Sequence, residues 1–451
     1  RLRLATRAVA YPHLAPVSRV AQPALPGFSI LPVESGGRPP SPSRMLVFIG
    51  LLLAGLAALI AVVVYSSRAK RAAAPILNTM HAPIVEIAFR ERETDGRHPQ
   101  ISNILSEALT RSWATQVRDR PVDVNDIARR SSYRIALSNT NNRITMQLID
   151  THTGMVMWTD AVTTKSSEDL HEAIAPSIAK LVGPFGVIAR NQAAQLKPST
   201  TGSYACLLRY FAFYRTRDLG ARDGISTCLA QPVDEPQLAA TVNAVRAFYT
   251  MEAGVWNDRE AQLRAAERFV LQATEADADD PYARYAKARL AYVRGRCDVG
   301  LHYGDLAVDS NPYDVVIVTV LSGLTAACSP EKGAQFLDRA YRIRNDNDIA
   351  TRASLTLSTI VQGQERRLGE LGFMNRPAPG PQLPNYLLTE SLIAAAQGRR
   401  DDARALWTEL RTLRPLAKSD DERLKPVILS DRLRGQVLDM MRTRGVIAAG
   451  E

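Results

Sequence analysis

A run of twenty residues without a charge, Leu46 to Tyr65 (LVFIGLLLAGLAALIAVVVY), limits what this chain can be more than any other feature. As a helix rising about 1.5 Å per residue, it spans the roughly 30 Å hydrocarbon core of a bilayer. A cleaved signal peptide would carry a shorter apolar stretch ending at small residues, whereas this run passes straight into Ser66-Ser67-Arg68-Ala69-Lys70-Arg71. The expectation is one N-terminal transmembrane helix, 45–66, anchored in the lipid bilayer and preceded by a Pro-rich disordered tail or linker, 1–44. Gly50, Ala54 and Ala58 share one face of the span, a spacing that lets two helices approach closely and so admits a homodimer in the membrane.

The formal net charge of +10 suggests a nucleic-acid partner only if it is carried by a folded face. Residues 1–71 hold nine Lys or Arg against Glu34 alone, which accounts for +8 of it. Basic residues beside an apolar span fit anionic headgroups. The nearly neutral remainder has little charge with which to displace counterions from phosphates, so residues 72–451 are expected to bind no nucleic acid.

After a linker, 67–82, the pattern reads as an α+β domain, 83–186. Pro83–Phe89 is a short buried strand. Ile101, Ile104, Leu105, Leu109 and Trp113 recur at three and four, the stripe of a helix. Tyr133–Ser138, Arg143–Asp150 and Met155–Thr163 read as strands joined at Asn139–Asn142 and Thr151–Gly154, with Gly154 suited to a positive φ. Ser166 and Asp169 form a capping box for a helix through Leu170, Ile174 and Ile178, which Pro176 should kink or restart. A second linker, 187–203, is followed by an almost wholly helical part, 204–445.

That helical part repeats. Gly295, Gly300, Ala307 and Pro312 are matched in spacing by Gly398, Ala403, Leu410 and Pro415, while Asp280-Pro281-Tyr282 and Asn311-Pro312-Tyr313 open successive units alike. Small residues let paired helices pack closely, and the prolines stop them. The spacing resembles tetratricopeptide (TPR) repeats, so the fold class expected is an α+β domain followed by an all-α TPR-like solenoid.

The order of segments resembles the membrane-anchor, TolB-like and TPR portion of bacterial membrane-anchored winged-helix regulators and of proteins associated with class III adenylate cyclases. The residues carrying it are Tyr133–Leu137, Gln147–Asp150 with Thr153-Gly154 and Trp158, and Tyr204–Arg209. Ser131-Ser132 stand where such proteins usually have a glycine. No output domain fits into residues 1–44, so DNA binding is carried over to no residue. The resemblance implies a periplasmic sensor or scaffold whose TPR-like groove binds a protein or peptide, with Tyr285, Arg289 and Tyr292 as contact candidates. Its rival is the signalling half of a transmembrane transcriptional regulator whose cytoplasmic DNA-binding domain is missing or separately encoded.

Catalytic chemistry has no foothold in the motifs. The six histidines lack metal-ligand spacing, no Gly-rich loop precedes Lys-Ser or Lys-Thr, and Gly202-Ser203 lacks the rest of a nucleophile elbow. Asp277, Asp279 and Asp280 read as a solvated loop, and Asp150 with His152 as turn chemistry. No catalytic, cofactor or metal residue is assigned, and an enzyme is not expected.

Topology divides the signals. Arg68, Lys70 and Arg71 follow the span and only Arg38 and Arg44 lie close before it, which favours a cytoplasmic C-terminus. Segment order and the cysteines favour a bacterial inner-membrane protein with a periplasmic bulk. Antiparallel pairing about Asp218–Asp223 brings Cys206 to Cys228, and stacking of adjacent repeats brings Cys297 towards Cys328, a bridge that needs local adjustment to close.

Overall fold

A computed structural model describes residues 78–89, 97–117, 132–140, 142–164, 169–216, 219–253, 259–344, 348–372, 374–380, 382–413, 417–425, 428 and 431–448. The apolar run Leu46–Tyr65, the Pro-rich segment before it and the small-residue stripe lie outside them. Among the described residues no helix is long and apolar enough to cross a membrane.

The first layer is a five-stranded mixed sheet. Strands β2 (Ile84–Phe89), β3 (Gln116–Val117), β4 (Ser132–Thr140), β5 (Arg143–Asp150) and β6 (Val156–Thr163) lie in the order β3-β2-β4-β5-β6. The first three are parallel, and β4-β5-β6 is an antiparallel meander with Ile135 opposite Leu148 and Leu148 opposite Trp158. Alternation fixes this register: Tyr133, Ile135 and Leu137 on β4 and Ile144, Met146 and Leu148 on β5 are buried. The turns use left-handed backbone at Asn142 and at Gly154, the latter as expected from the sequence. Helices α1 (His98–Thr110) and α2 (Leu170–Leu181) cover the buried face with Ile101, Leu105, Ile174 and Ile178. Trp113 lies past the end of α1, and α2 runs unbroken through Pro176 from a start just after Asp169, while Ser166 falls outside the described residues.

Neither segment expected as linker is only that. β1 (Asn78–Thr79) pairs in parallel with β7 (Thr200–Thr201), and Ala82 is fully buried. Helix α3 (Val187–Ala194) is tied to the sheet because the Tyr133 hydroxyl donates to Asn191 Oδ1 and accepts from Gln192 Nε2, both at 2.6 Å. The positional pattern missed these contacts because short elements carry too few residues for a period to show.

Helices α4 (Ser203–Thr216) and α5 (Arg222–Leu229) come next, followed by hairpins α6 (Ala239–Ala253) with α7 (Arg259–Ala276), α8 (Pro281–Val293) with α9 (Cys297–Ser310), and α10 (Val315–Ala326) with α11 (Pro330–Ile343). Helix α12 (Ile349–Val361) pairs with a 3₁₀ segment, Glu365–Glu370. Then come α13 (Leu383–Ala396) with α14 (Arg400–Leu413), and α15 (Asp420–Leu424) with α16 (Asp431–Thr443). The first helices α6, α8, α10, α12 and α13 stack into one row.

Their starts follow one rule. Asp280, Asp314 and Asp348 cap α8, α10 and α12 with side-chain oxygens accepting helix N–H groups, and Gln382 precedes α13. Each start lies 34 residues after the last. Asn311-Pro312-Tyr313 matches Asp280-Pro281-Tyr282 in sequence, but the helix begins three residues later than that match implies, because Asp314 is the capping residue. Gly295, Gly363 and Gly398 end first helices in left-handed backbone, each followed by a residue whose N–H reaches back five positions.

Residues from Ile76 to Glu451 form one compact unit. Sheet and array are joined directly: Arg111 donates to the carbonyls of Asp309 and Ser310, Tyr204 Oη donates to Ala114 O at 3.2 Å, and Tyr313 Oη meets His171 Nε2 at 2.6 Å.

Candidate interaction surface

A helical array of this kind presents its first helices as an inner row, where a partner segment would be received. Here the chain itself occupies that row. Helix α4 is apolar on nearly every face, the mark of a helix buried all round, and Tyr204, Cys206, Leu207, Leu208, Tyr210, Phe211 and Phe213 are buried. Phe211 stacks on Trp113 at 5.1 Å between centroids and meets Tyr282 of α8 edge-on at 5.7 Å. Further along, Arg215 reaches Asp348 at the start of α12 at 3.1 Å, and its carbonyl accepts from Asn385 Nδ2 of α13 at 3.1 Å. One helix thus touches members of the row along much of its length.

The three contact candidates lie accordingly. Tyr285 is 1% exposed and packs on Phe248 at 4.7 Å, and burial pushes its phenol up. Arg289 is half-buried: it pairs with Glu252 at 3.2 Å and lies over the Phe248 ring. Tyr292 is half-buried and shares a 2.8 Å hydrogen bond with Thr325; a Cβ on Gly300 of α9 would come within 2.6 Å of its ring. Spacings of four and three put all three residues on one face of α8, as the sequence implied. That face is turned towards the core: Tyr285 is buried and Arg289 is held by an ion pair within the chain.

Cys206 is bridged to Cys228 and Cys297 to Cys328, with Cα separations of 5.7 and 5.6 Å. The second bridge needs no displaced helix, because Cys297 opens α9 and Cys328 sits in the turn before α11, side by side. The first borders a cavity of about 670 Å³ that also takes in Thr201, Arg209, Asp234 and Arg246. Both arginines are already directed to main-chain carbonyls, Arg209 to Lys197 and Thr200 and Arg246 to Leu229.

The acidic and histidine candidates are structural. Asp280 is half-buried and caps α8, accepting from Ala283 N–H at 2.8 Å and Thr241 Oγ1 at 2.9 Å, while Asp277 Oδ1 accepts the Asp279 N–H. Asp150 Oδ1 accepts the His152 N–H at 2.9 Å, a turn contact. Among the described residues no cluster of three His, Cys, Asp or Glu side chains could hold a metal ion.

Asp314 is one of several buried carboxylates that the sequence did not single out. It caps α10 through Val316 and Ile317 N–H at 2.9 and 3.2 Å, accepts from Tyr282 Oη at 2.7 Å, and has the Gly183 turn of the α+β layer against it. Burial raises its pKa from 3.8 to about 6, partly offset by those hydrogen bonds. The folded chain therefore holds this proton more tightly than the unfolded one, and the contribution to stability falls as pH rises from about 4 to about 6. Asp314→Asn should remove that slope, on the order of 2 kcal/mol between those limits. Urea unfolding of both proteins from pH 4 to 7 reads the difference; a difference that does not vary with pH would refute the assignment.

Compared with family models and with curated proteins, the chain matches none.

Proposed function

We propose that this chain is a membrane-anchored scaffold or sensor of an oxidising, extracytoplasmic compartment, in which a TPR-like array fused to a small TolB-like domain binds a protein or peptide partner. The observation that carries the array reading is the 34-residue interval separating the starts of α8, α10, α12 and α13, which is the TPR period. The close approach of α9 to α8 at Gly300 supports it. Two disulfides and no free cysteine support the compartment. Because α4 fills the inner row, the partner meets the outer helices or the end of the array.

Reporter fusions at Glu451 test the placement, combined with alkylation and mass spectrometry of non-reduced protein. An active periplasmic phosphatase fusion and no alkylation at Cys206, Cys228, Cys297 or Cys328 are expected. An active cytoplasmic reporter with all four thiols alkylated would overturn the reading.

A further inference from the structure

At the C-terminal end of the array two left-handed turns face each other. Gly398 (φ +77°) joins α13 to α14, and Gly445 (φ +65°) follows α16. Between them lies a hollow of about 820 Å³ bordered by Arg399, Arg400, Arg404 and Arg444, with Asp401 and Asp402. Four guanidinium groups against two carboxylates leave an excess of positive charge.

Other arginines of the array surface have acidic partners, as Arg367 has Asp338 at 2.6 Å and Arg294 has Glu260 at 2.9 Å. Here the acceptors are mostly main-chain carbonyls, which orient a guanidinium without cancelling its charge. Arg400 Nε donates to Arg444 O at 3.0 Å, and Arg404 donates to Gly445 O from Nε at 2.9 Å and Nη2 at 2.7 Å. Only Arg399 has an acidic partner, Asp402 at 2.8 Å. The Arg444 side chain has no hydrogen bond or ion pair among the described residues. Gly445 is part of the arrangement: a Cβ there would stand 2.9 Å from the Arg400 guanidinium.

We infer that this hollow is the partner-binding site and that it takes an acidic peptide segment. The inference rests on the scaffold reading above and gives it a surface. Donors held in place beforehand lose less freedom on binding, and arginine forks match carboxylates in pairs. Arg400 and Arg404 lie one turn apart on α14 and reach the carbonyls of Arg444 and Gly445, while Arg444 itself stands on the opposite turn, so several guanidinium groups border one hollow. A volume within the roughly 300–1,000 Å³ of ordinary ligand sites exceeds what one phosphate fills. An extended chain bearing several Asp or Glu side chains meets both conditions.

The test is fluorescence anisotropy with the full-length chain in detergent and a short labelled peptide of Glu and Asp interrupted by glycine. The basic N-terminal segment contributes equally in every variant, so differences between variants report the hollow. Arg400→Gln with Arg444→Gln should weaken binding at least about tenfold, the loss of one to two charged hydrogen bonds. Arg268→Gln, on the exposed face of α7, should bind as the parent does. Gly445→Ala keeps every charge and displaces Arg400, and should weaken binding about threefold with the thermal transition retained. Equal affinity of the parent and the double variant would overturn the proposal. So would displacement of the peptide by inorganic phosphate, but not by chloride of equal ionic strength, since that marks a site for a free oxyanion. The titration does not depend on compartment, so failure of the fusion experiment and failure of this one are separate results.

Discussion

Phe211→Ala is expected to destabilise the folded chain by about 3–5 kcal/mol, the range for removing a buried aromatic ring that leaves an unfilled cavity. Phe211 is 3% exposed, and its ring meets Trp113 at 5.1 Å, Tyr210 at 5.2 Å, Tyr282 at 5.7 Å and Phe185 at 6.4 Å. Two of those partners, Trp113 and Phe185, belong to segments flanking the sheet layer, and Tyr282 belongs to α8. The loss should therefore loosen sheet and array together. Hydrogen exchange is the measurement: faster exchange in β4 and in α8 is expected, and faster exchange confined to α4 would show that the helix does not join the two. Phe211→Leu, which keeps most of the volume, should cost about 1.5 kcal/mol or less.

The second large effect is at Arg352, 1% exposed at its side chain and paired with Glu390, itself 6% exposed. Nε donates to Glu390 Oε1 at 2.5 Å and Nη2 to Glu390 Oε2 at 3.3 Å and to Gly372 O at 2.5 Å, so the pair joins consecutive first helices α12 and α13. Arg352→Ala leaves a buried carboxylate without its cation and should cost about 3–5 kcal/mol. Removing both charges as Arg352→Met with Glu390→Leu should recover most of that loss, because desolvation of two ions disappears along with their attraction. Urea unfolding of the single and double variants decides it. If the double variant is as unstable as the single one, the stabilisation lies in the packing of the guanidinium stem and not in charge.

Several features follow from local sequence alone. Alternation over Tyr133–Leu137 and Ile144–Leu148 set which face of the sheet is buried, since a one-residue slip would turn the whole set outward. Gly154 marked a left-handed turn because only glycine takes that backbone at little cost, whereas Gly295 and Gly398, expected from the sequence to allow close helix packing, take that backbone with nothing near their Cβ positions. The cysteine pairs were legible from helical pairing, although the Cys297–Cys328 bridge fits more readily than stacking alone implied. The 34-residue interval is also present in the sequence, as Asp280, Asp314 and Asp348; the prolines do not keep that interval, Pro312 lying three residues ahead of the position that corresponds to Pro281.

Tertiary structure decided the rest. The run from Tyr204 to Tyr214 is apolar apart from Arg209, which signals burial, but nothing local says which surface covers it. Only long-range packing shows that it lies along the row where a partner was expected, and that Tyr285 and Arg289 turn to Phe248 and Glu252 of α6. The arginines at the array end were equally hidden. Arg400, Arg404 and Arg444 look like any solvated charges until the fold brings the carbonyls of Arg444 and Gly445 to α14, 44 and 41 residues along the chain from the side chains they orient. Local periodicity determines elements and their buried faces because it depends on near neighbours. Which face meets which, and which charge is left without a counter-charge, depends on contacts between distant residues, and those exist only in the folded chain.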